Sequence, residues 1–387
     1  MKNYRVLQQK YLVNTYPDRA VCLVNGQGVY LWSEKGERYL DLMTNYGVNI
    51  FGYGHPAILK ALNAQLGKLT TLHGSFNNDM RAEAARALVA RCGGGLTKVY
   101  LSNSGAEAVE AALKFAVLAT GKKKFISCRG GYHGKTLGAL SANSEEKYTR
   151  PFEPLLWDFH NVDFNDSAQL EAALDRETAA FLVEPIQGES GIIRPDNGYL
   201  NKARELCTEK QVLMILDEIQ TGAGRTGRFL ASEREVDSYD ILCLGKGLAG
   251  GIPVGATLVS EQVASAVPRS VHTSTFGGNP LAAAGIAAVT DLLDETMLTR
   301  IRDTGRYFRE GLQGISSDLI TDVRGEGLML GVDVGRNRNA MLQSLQKHKI
   351  LAIPAGDSIV RFLPPYILEK EHVDRAVDIV SLIVREM

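Results

Sequence analysis

At 387 residues the chain is too long for a single small core, so two packed regions are expected. It is 45% hydrophobic and 22% charged with a formal net charge of -1, a balance that gives no electrostatic ground for a nucleic-acid partner or a membrane surface. The polar start, residues 1–10, lacks the apolar core of a signal peptide, and no apolar run is long enough to span a bilayer. Cys22, Cys92, Cys128, Cys207 and Cys243 are scattered without paired spacing, which reads as buried free thiols in a reducing cytoplasm.

In chain order, residues 28–42 read as a hairpin turning at 34–36. Short apolar, β-branched runs read as fully buried strands at 98–102, 124–128, 180–184, 212–216 and 240–244. Helical patterns lie between them at 106–119, 167–174 and 200–210. This alternation predicts an α/β fold with a mostly parallel central sheet and helices on both faces, whose ligands gather outside the carboxyl ends of the strands. Further on, 281–293 and 298–312 look like amphipathic helices, and 322–333 alternates like an antiparallel strand. Both chain ends, residues 1–50 and 271–387, are placed in a smaller α+β domain beside a large domain of residues 51–270. No internal repeat is visible.

Two of the strands end in residues that belong to one chemistry. Lys246 follows the run 241–244 inside a glycine-rich turn, and Asp217 closes the run 212–216. A lone lysine opposite a lone aspartate at the ends of two buried strands is what pyridoxal phosphate requires. The amine condenses with its aldehyde, and the carboxylate keeps its pyridine nitrogen protonated so that the ring accepts electrons. An acid ending a buried strand is costly without a cationic partner, and the pyridinium N–H supplies one; a helix N-cap is the other use of such an acid. Gln220 lies within reach of the ring's phenolic oxygen.

Other segments cluster at the same strand ends. Residues 102–114 pass through Gly105 into a strong helix whose first amides suit a phosphate, although a plain Ser-capped helix has the same pattern and both readings stay open. Gly134-Lys135-Thr136 resembles the end of a nucleotide-binding phosphate loop, but Arg129 stands where the first glycine belongs and Gly130 leaves the loop one residue short. Tyr132 is better used as an aromatic plate on a flat cofactor ring. Residues 184–191 leave a strand and turn, placing Glu189 in a loop at its end. Residues 272–280 are rich in hydroxyls and glycine just before a helix, another suitable phosphate edge. Arg361 follows a strand and precedes Pro364-Pro365; its guanidinium fork suits a bidentate carboxylate, and a structural ion pair is the other use.

Together the segments Tyr46-Gly-Val-Asn, Glu184-Pro-Ile-Gln-Gly-Glu, Asp217-Glu-Ile-Gln-Thr-Gly, Gly245-Lys-Gly, Phe276-Gly-Gly-Asn-Pro and Arg361-Phe-Leu-Pro-Pro resemble the class III (subgroup II) aminotransferases of PLP-dependent transferase fold type I, over nearly the whole chain. The likeness is closest to the acetylornithine aminotransferase branch, with its relatives that act on carrier-bound or acetylated lysine. That resemblance implies a homodimer with shared active sites, no metal, Lys246 and Asp217 as catalytic residues, and a place in arginine or lysine biosynthesis. Cofactor contacts are implied for Ser104, Gly105, Ala106, Tyr132, His133, Asp217, Gln220 and Lys246, with Ser274 and Thr275 reaching from the other subunit. Tyr16, Tyr46, Lys135, Glu189 and Arg361 would bind substrates: Arg361 the carboxylate of 2-oxoglutarate or glutamate, with Glu189 pairing to it while the amino donor is bound.

One position departs from the family. Arginine usually follows the His-Gly pair and grips the donor's α-carboxylate; here Lys135 keeps the charge but loses the planar fork, so donor affinity or choice would differ. The expected reaction is ping-pong transfer of the terminal amino group of N-acetylornithine, or a similar N-blocked diamino acid, to 2-oxoglutarate, giving a semialdehyde and glutamate. Ornithine, carrier-bound lysine and 4-aminobutyrate are alternative donors. A PLP-dependent aminomutase is remote, because it needs no Arg361 and Glu189 switch, and a PLP-binding DNA regulator would need a basic reading helix that the chain lacks.

Overall fold

The computed structural model describes residues 3–387. The expected hairpin is present: β2 (Tyr30–Ser33) pairs antiparallel with β3 (Arg38–Asp41), after an additional strand β1 (Leu23–Gln27). Its turn closes where Gly36 donates its amide to the Ser33 carbonyl at 2.9 Å.

The uninterrupted apolar runs have no polar face to offer water, so they go to a sheet covered on both sides. Chain order there is β4 (Leu96–Ser102), β5 (Lys124–Cys128), β6 (Asp158–Val162), β7 (Thr178–Val183), β8 (Leu213–Asp217), β9 (Ile241–Leu244) and β10 (Gly255–Ser260). Spatial order is β4-β10-β9-β8-β7-β5-β6. Every residue of β7, β8 and β9 is buried. All neighbours are parallel except β10, which runs antiparallel between β4 and β9. The carboxyl ends of β4, β5, β7, β8 and β9 therefore lie along one edge, where ligands of such sheets collect.

Two strands of this sheet, β6 and β10, are not marked in the sequence by an apolar run. β10 opens with Gly255-Ala256 after a glycine-rich stretch, and β6 is a polar edge strand whose side chains alternate between exposed and covered. The region 322–333 is also two strands rather than one: β11 (Asp322–Glu326) turns back as β12 (Met329–Asp333). The reversal comes at Gly327, whose φ of +54° and contact with the Arg225–Thr226 backbone leave no space for a side chain.

A second core joins the chain ends. It packs Val29, Leu40 and Leu42 against Phe308, Leu312, Leu330, Phe362 and the C-terminal helix Lys370–Glu386. β13 (Ile350–Leu351) extends the N-terminal sheet beside β3, while β14 (Ile353–Ala355) and β15 (Ile359–Phe362) complete a sheet with β11 and β12. The helix Pro280–Leu292 packs into the large core through Ala282, Ala283, Ile286 and Val289. The expected boundary at residue 271 thus precedes a helix that belongs, by packing, with the central sheet. Four cysteines are buried and Cys22 is half-buried; all five are free. Among the described residues no helix is long and apolar enough to cross a membrane.

Candidate active site

Asp217 is the last residue of β8 and is only 3% exposed. A buried carboxylate needs donors, and it has two: the Ile219 amide at 3.0 Å on Oδ1 and His133 Nδ1 at 2.8 Å from Oδ2. Further lone pairs remain for another donor. His133 is itself buried. Burial alone would lower its pKa, but the hydrogen bond and charge of Asp217, helped by Glu184, overcome this and hold it above the ordinary value. The Asp217 carboxyl is thus held by the imidazole of His133 from the loop after β5, while the imidazole Nε2 has no partner among the described residues.

Lys246 begins a short turn directly after β9 and Gly245. Its φ of +42° puts a non-glycine residue in the left-handed region, at a cost of ~1–2 kcal/mol, the kind of strain found at functional positions. Glycine on either side makes the turn possible. A Cβ on Gly245 would meet the Gly105 backbone at 3.2 Å, and one on Gly247 would meet Ile50 at 2.6 Å. The amine is held below its ordinary pKa by burial, against the opposing charges of Asp217, Glu189 and Glu184.

Beyond β4, Ser104 caps the helix Gly105–Thr120, its hydroxyl accepting the Glu107 amide at 3.2 Å. The Ser104 carbonyl takes the Ala108 amide at 3.0 Å, and the amides of Gly105 and Ala106 find no acceptor among the described residues. The helix is thus Ser-capped, and at its positive end it also presents two amide donors without an acceptor among the described residues. Gly105 is required on packing grounds, since a Cβ there would lie 2.7 Å from Ile219.

Arg361 is in β15, not after it as expected, and its side chain is wholly buried. Its fork donates to the Gly188 carbonyl (2.9 Å), Gln220 Oε1 (3.0 Å) and Glu189 Oε1 (2.7 Å). The Glu189–Arg361 pair is thus made. Gln220, expected at the cofactor ring, spends its oxygen on this arginine; a Cβ on Gly188 would collide with it at 2.1 Å. Tyr46 lies with its ring 5.7 Å from the Arg361 guanidinium carbon. It sits in a run of left-handed residues, Thr44 to Gly47, held by the buried Asp41 carboxylate, which accepts the amides of Met43 and Thr44 (both 3.0 Å) and the Tyr53 hydroxyl (2.7 Å).

Tyr132 is partly buried beside a cavity of about 400 Å³ that Glu189 also lines. Burial, then the Glu189 charge, pushes its hydroxyl pKa up to about 12; Tyr16, though 87% exposed, is close enough to add to the shift. Lys135 does not line this cavity: it is exposed, with its ammonium 4.8 Å over the Tyr148 ring. Ser274 is tied to neighbours in the same chain through Asn103 (3.2 Å) and the Gly277 amide (2.9 Å), whereas Thr275 is exposed. The following helix is capped by the Asn279 side chain, so this segment offers hydroxyls rather than helix amides to a phosphate.

Glu184 is the residue that sequence reasoning passed over, although the rule applied to Asp217, an acid closing a buried strand, points to it as well. It accepts the Tyr132 amide (2.9 Å) and the Gly188 amide (3.2 Å), joining the two loops that carry Tyr132 and Glu189. Burial pushes its pKa up to about 7, opposed by His133 and reinforced by Asp217. A carboxyl whose pKa rises on folding takes up a proton, so its stabilisation is complete below its ordinary pKa near 4.5 and is lost as pH rises through about 7. His133, also raised, has the same sign. In cofactor-free protein, the melting-temperature advantage of Glu184→Gln over wild type is expected to grow between about pH 5 and pH 8. A difference that stays flat with pH, followed by calorimetry, contradicts this.

The donor set suits a flat, basic heteroaromatic ring bearing a phosphate. Among the described residues two amides at a helix N-terminus are free to meet an anion, the Asp217 carboxyl held by His133 suits a ring nitrogen, Tyr132 offers a face, and Lys246 supplies an amine of lowered pKa. Comparison with known proteins agrees. A model of the class-III aminotransferases matches residues 12–384. An acetylornithine aminotransferase from Methanopyrus kandleri is 42% identical, covering 96% of each chain. A [LysW]-aminoadipate semialdehyde transaminase from Deinococcus radiodurans is 40% identical over 96% of this chain and 87% of its own. A crystallised ornithine aminotransferase from Toxoplasma gondii, with PLP at partial occupancy in its active site, superposes with a TM-score of 0.92 at 36% identity, over 99% of this chain and 94% of that one. The chain belongs to the class-III aminotransferases, enzymes that use pyridoxal phosphate.

Proposed function

We propose that this aminotransferase moves the terminal amino group of N-acetylornithine, or a similar N-blocked diamino acid, to 2-oxoglutarate, giving a semialdehyde and glutamate. The reading includes a cytoplasmic homodimer with shared active sites, serving arginine or lysine biosynthesis. The relatives named for acetylornithine support the donor, and the exposed Thr275 supports reach into a second subunit. Five free cysteines favour a reducing compartment.

Pyridoxal phosphate, when bound, supplies an aldehyde for the donor's amino group and a protonated ring that draws electrons from the donor carbon. Gly105 and Ala106 would take its phosphate, Tyr132 a ring face and Asp217 the pyridine N–H. Asp217 then holds the proton on that nitrogen, and His133 keeps the carboxylate charged and oriented. Lys246, its pKa lowered by burial, takes the proton from the donor's terminal carbon and later returns one when the keto acid is converted. The single observation that carries the two-substrate reading is the 2.7 Å pair between wholly buried Arg361 and Glu189. With Glu189 in place, the arginine is neutralised and the site accepts a donor chain without a carboxylate there. With Glu189 displaced, the fork receives the distal carboxylate of 2-oxoglutarate in its stead.

A panel of N-acetylornithine, succinylornithine, ornithine and 4-aminobutyrate, each with 2-oxoglutarate, tests the donor. N-acetylornithine is expected to exceed ornithine and 4-aminobutyrate in kcat/KM by about tenfold or more; a faster reaction with either overturns the reading. The [LysW]-aminoadipate relative makes a carrier-bound donor the second reading.

A further inference from the structure

The cavity beside Tyr132 and Glu189 has a cation in its wall that the reaction has not yet used. Arg338, the first residue of the helix Arg338–Lys347, lines it together with Ser190, Gly356 and Asp357. Its guanidinium is pinned: Nη1 donates to the Gly356 carbonyl, while Nε and Nη2 each donate to Asn339 Oδ1 at 3.1 Å. Of the five N–H donors of an arginine, three are engaged by neutral acceptors and two remain. Among the described residues no carboxylate forms an ion pair with it, Asp357 included. The other cations nearby are placed differently. Lys147 is matched by Glu145 at 3.4 Å, and Lys135 is exposed over Tyr148, outside the cavity lining.

We infer that Arg338 is a specificity residue that holds the carboxylate at the donor's non-reacting end. This rests on the reading of the donor as an N-blocked diamino acid. A fixed fork with two spare donors and no ion-pair partner among the described residues is suited to a carboxylate, and it stands in the same cavity wall as Glu189, the partner of Arg361. Arg338 thereby takes over the task that Lys135, without a fork and away from the lining, is poorly placed to perform.

The test compares N-acetylornithine with N-acetylputrescine, the same molecule without the carboxylate, on the holoenzyme, using KM, or Ki where turnover is slow. Arg338→Ala is expected to raise the value for N-acetylornithine roughly 10- to 100-fold, the loss of a charge-assisted contact. The N-acetylputrescine value should move by less than about twofold, and Arg338→Lys should recover part of the loss. Equal rises for both compounds, or no rise for N-acetylornithine, overturn the assignment. If wild type prefers another member of the donor panel, that donor and its counterpart lacking the carboxylate are compared in the same way. A wrong donor and a wrong residue therefore give different results.

Discussion

Lys246→Ala is expected to lower kcat for transamination by roughly 10⁴-fold or more, with the protein still folded. Lys246 is the lysine that follows β9, in a left-handed turn with glycine on both sides, and its amine is held below the ordinary lysine pKa by burial. That shift enlarges the neutral fraction able to attack an aldehyde or accept a proton, which an exposed lysine lacks at neutral pH. Alanine also removes an amine whose charged form burial disfavours, so loss of stability does not explain a loss of activity. Steady-state kinetics beside a melting curve separates the two, and a variant retaining wild-type kcat excludes Lys246 from the chemistry.

Asp217→Asn is expected to lower kcat by about 10³-fold while leaving the fold intact. The amide keeps the size and one acceptor for the Ile219 amide, but removes the charge that outweighs burial at His133 and that would hold a proton on the pyridine nitrogen. Two readouts should move together. The kcat falls more than KM rises, because the charge acts on the reacting system rather than on substrate capture. His133, deprived of its anion, loses its raised pKa, because burial, which lowers it, is then opposed only by the Glu184 charge. A kcat within about tenfold of wild type would assign Asp217 to structure alone.

The central strands were legible in the sequence because a fully buried strand has only one composition available to it. The runs 179–183, 213–216 and 241–244 within β7, β8 and β9 are apolar throughout, so their ends, and hence Asp217 and Lys246, could be located within a residue or two. β6 carries Asp158, His160 and Asn161 because it lies at the sheet edge, and an edge strand looks like a loop. Within the site, the covalent and charged roles announced themselves by residue type, whereas the roles set by three-dimensional neighbours did not. Gln220 serves Arg361, Glu184 ties two loops together, and Asp41 holds the turn of Tyr46 from several residues away. Arg338 lies more than a hundred residues from Tyr132, with nothing local to mark it. Lys135 stands out in the sequence by residue type, but its position outside the cavity lining depends on how its loop packs against Tyr148.

Borohydride reduction of the holoenzyme, followed by peptide mapping, tests most directly the claim on which the site rests. The cofactor's mass is expected on the peptide that contains Lys246 and on no other. Label on a different lysine, or none while the enzyme still transaminates, would contradict it.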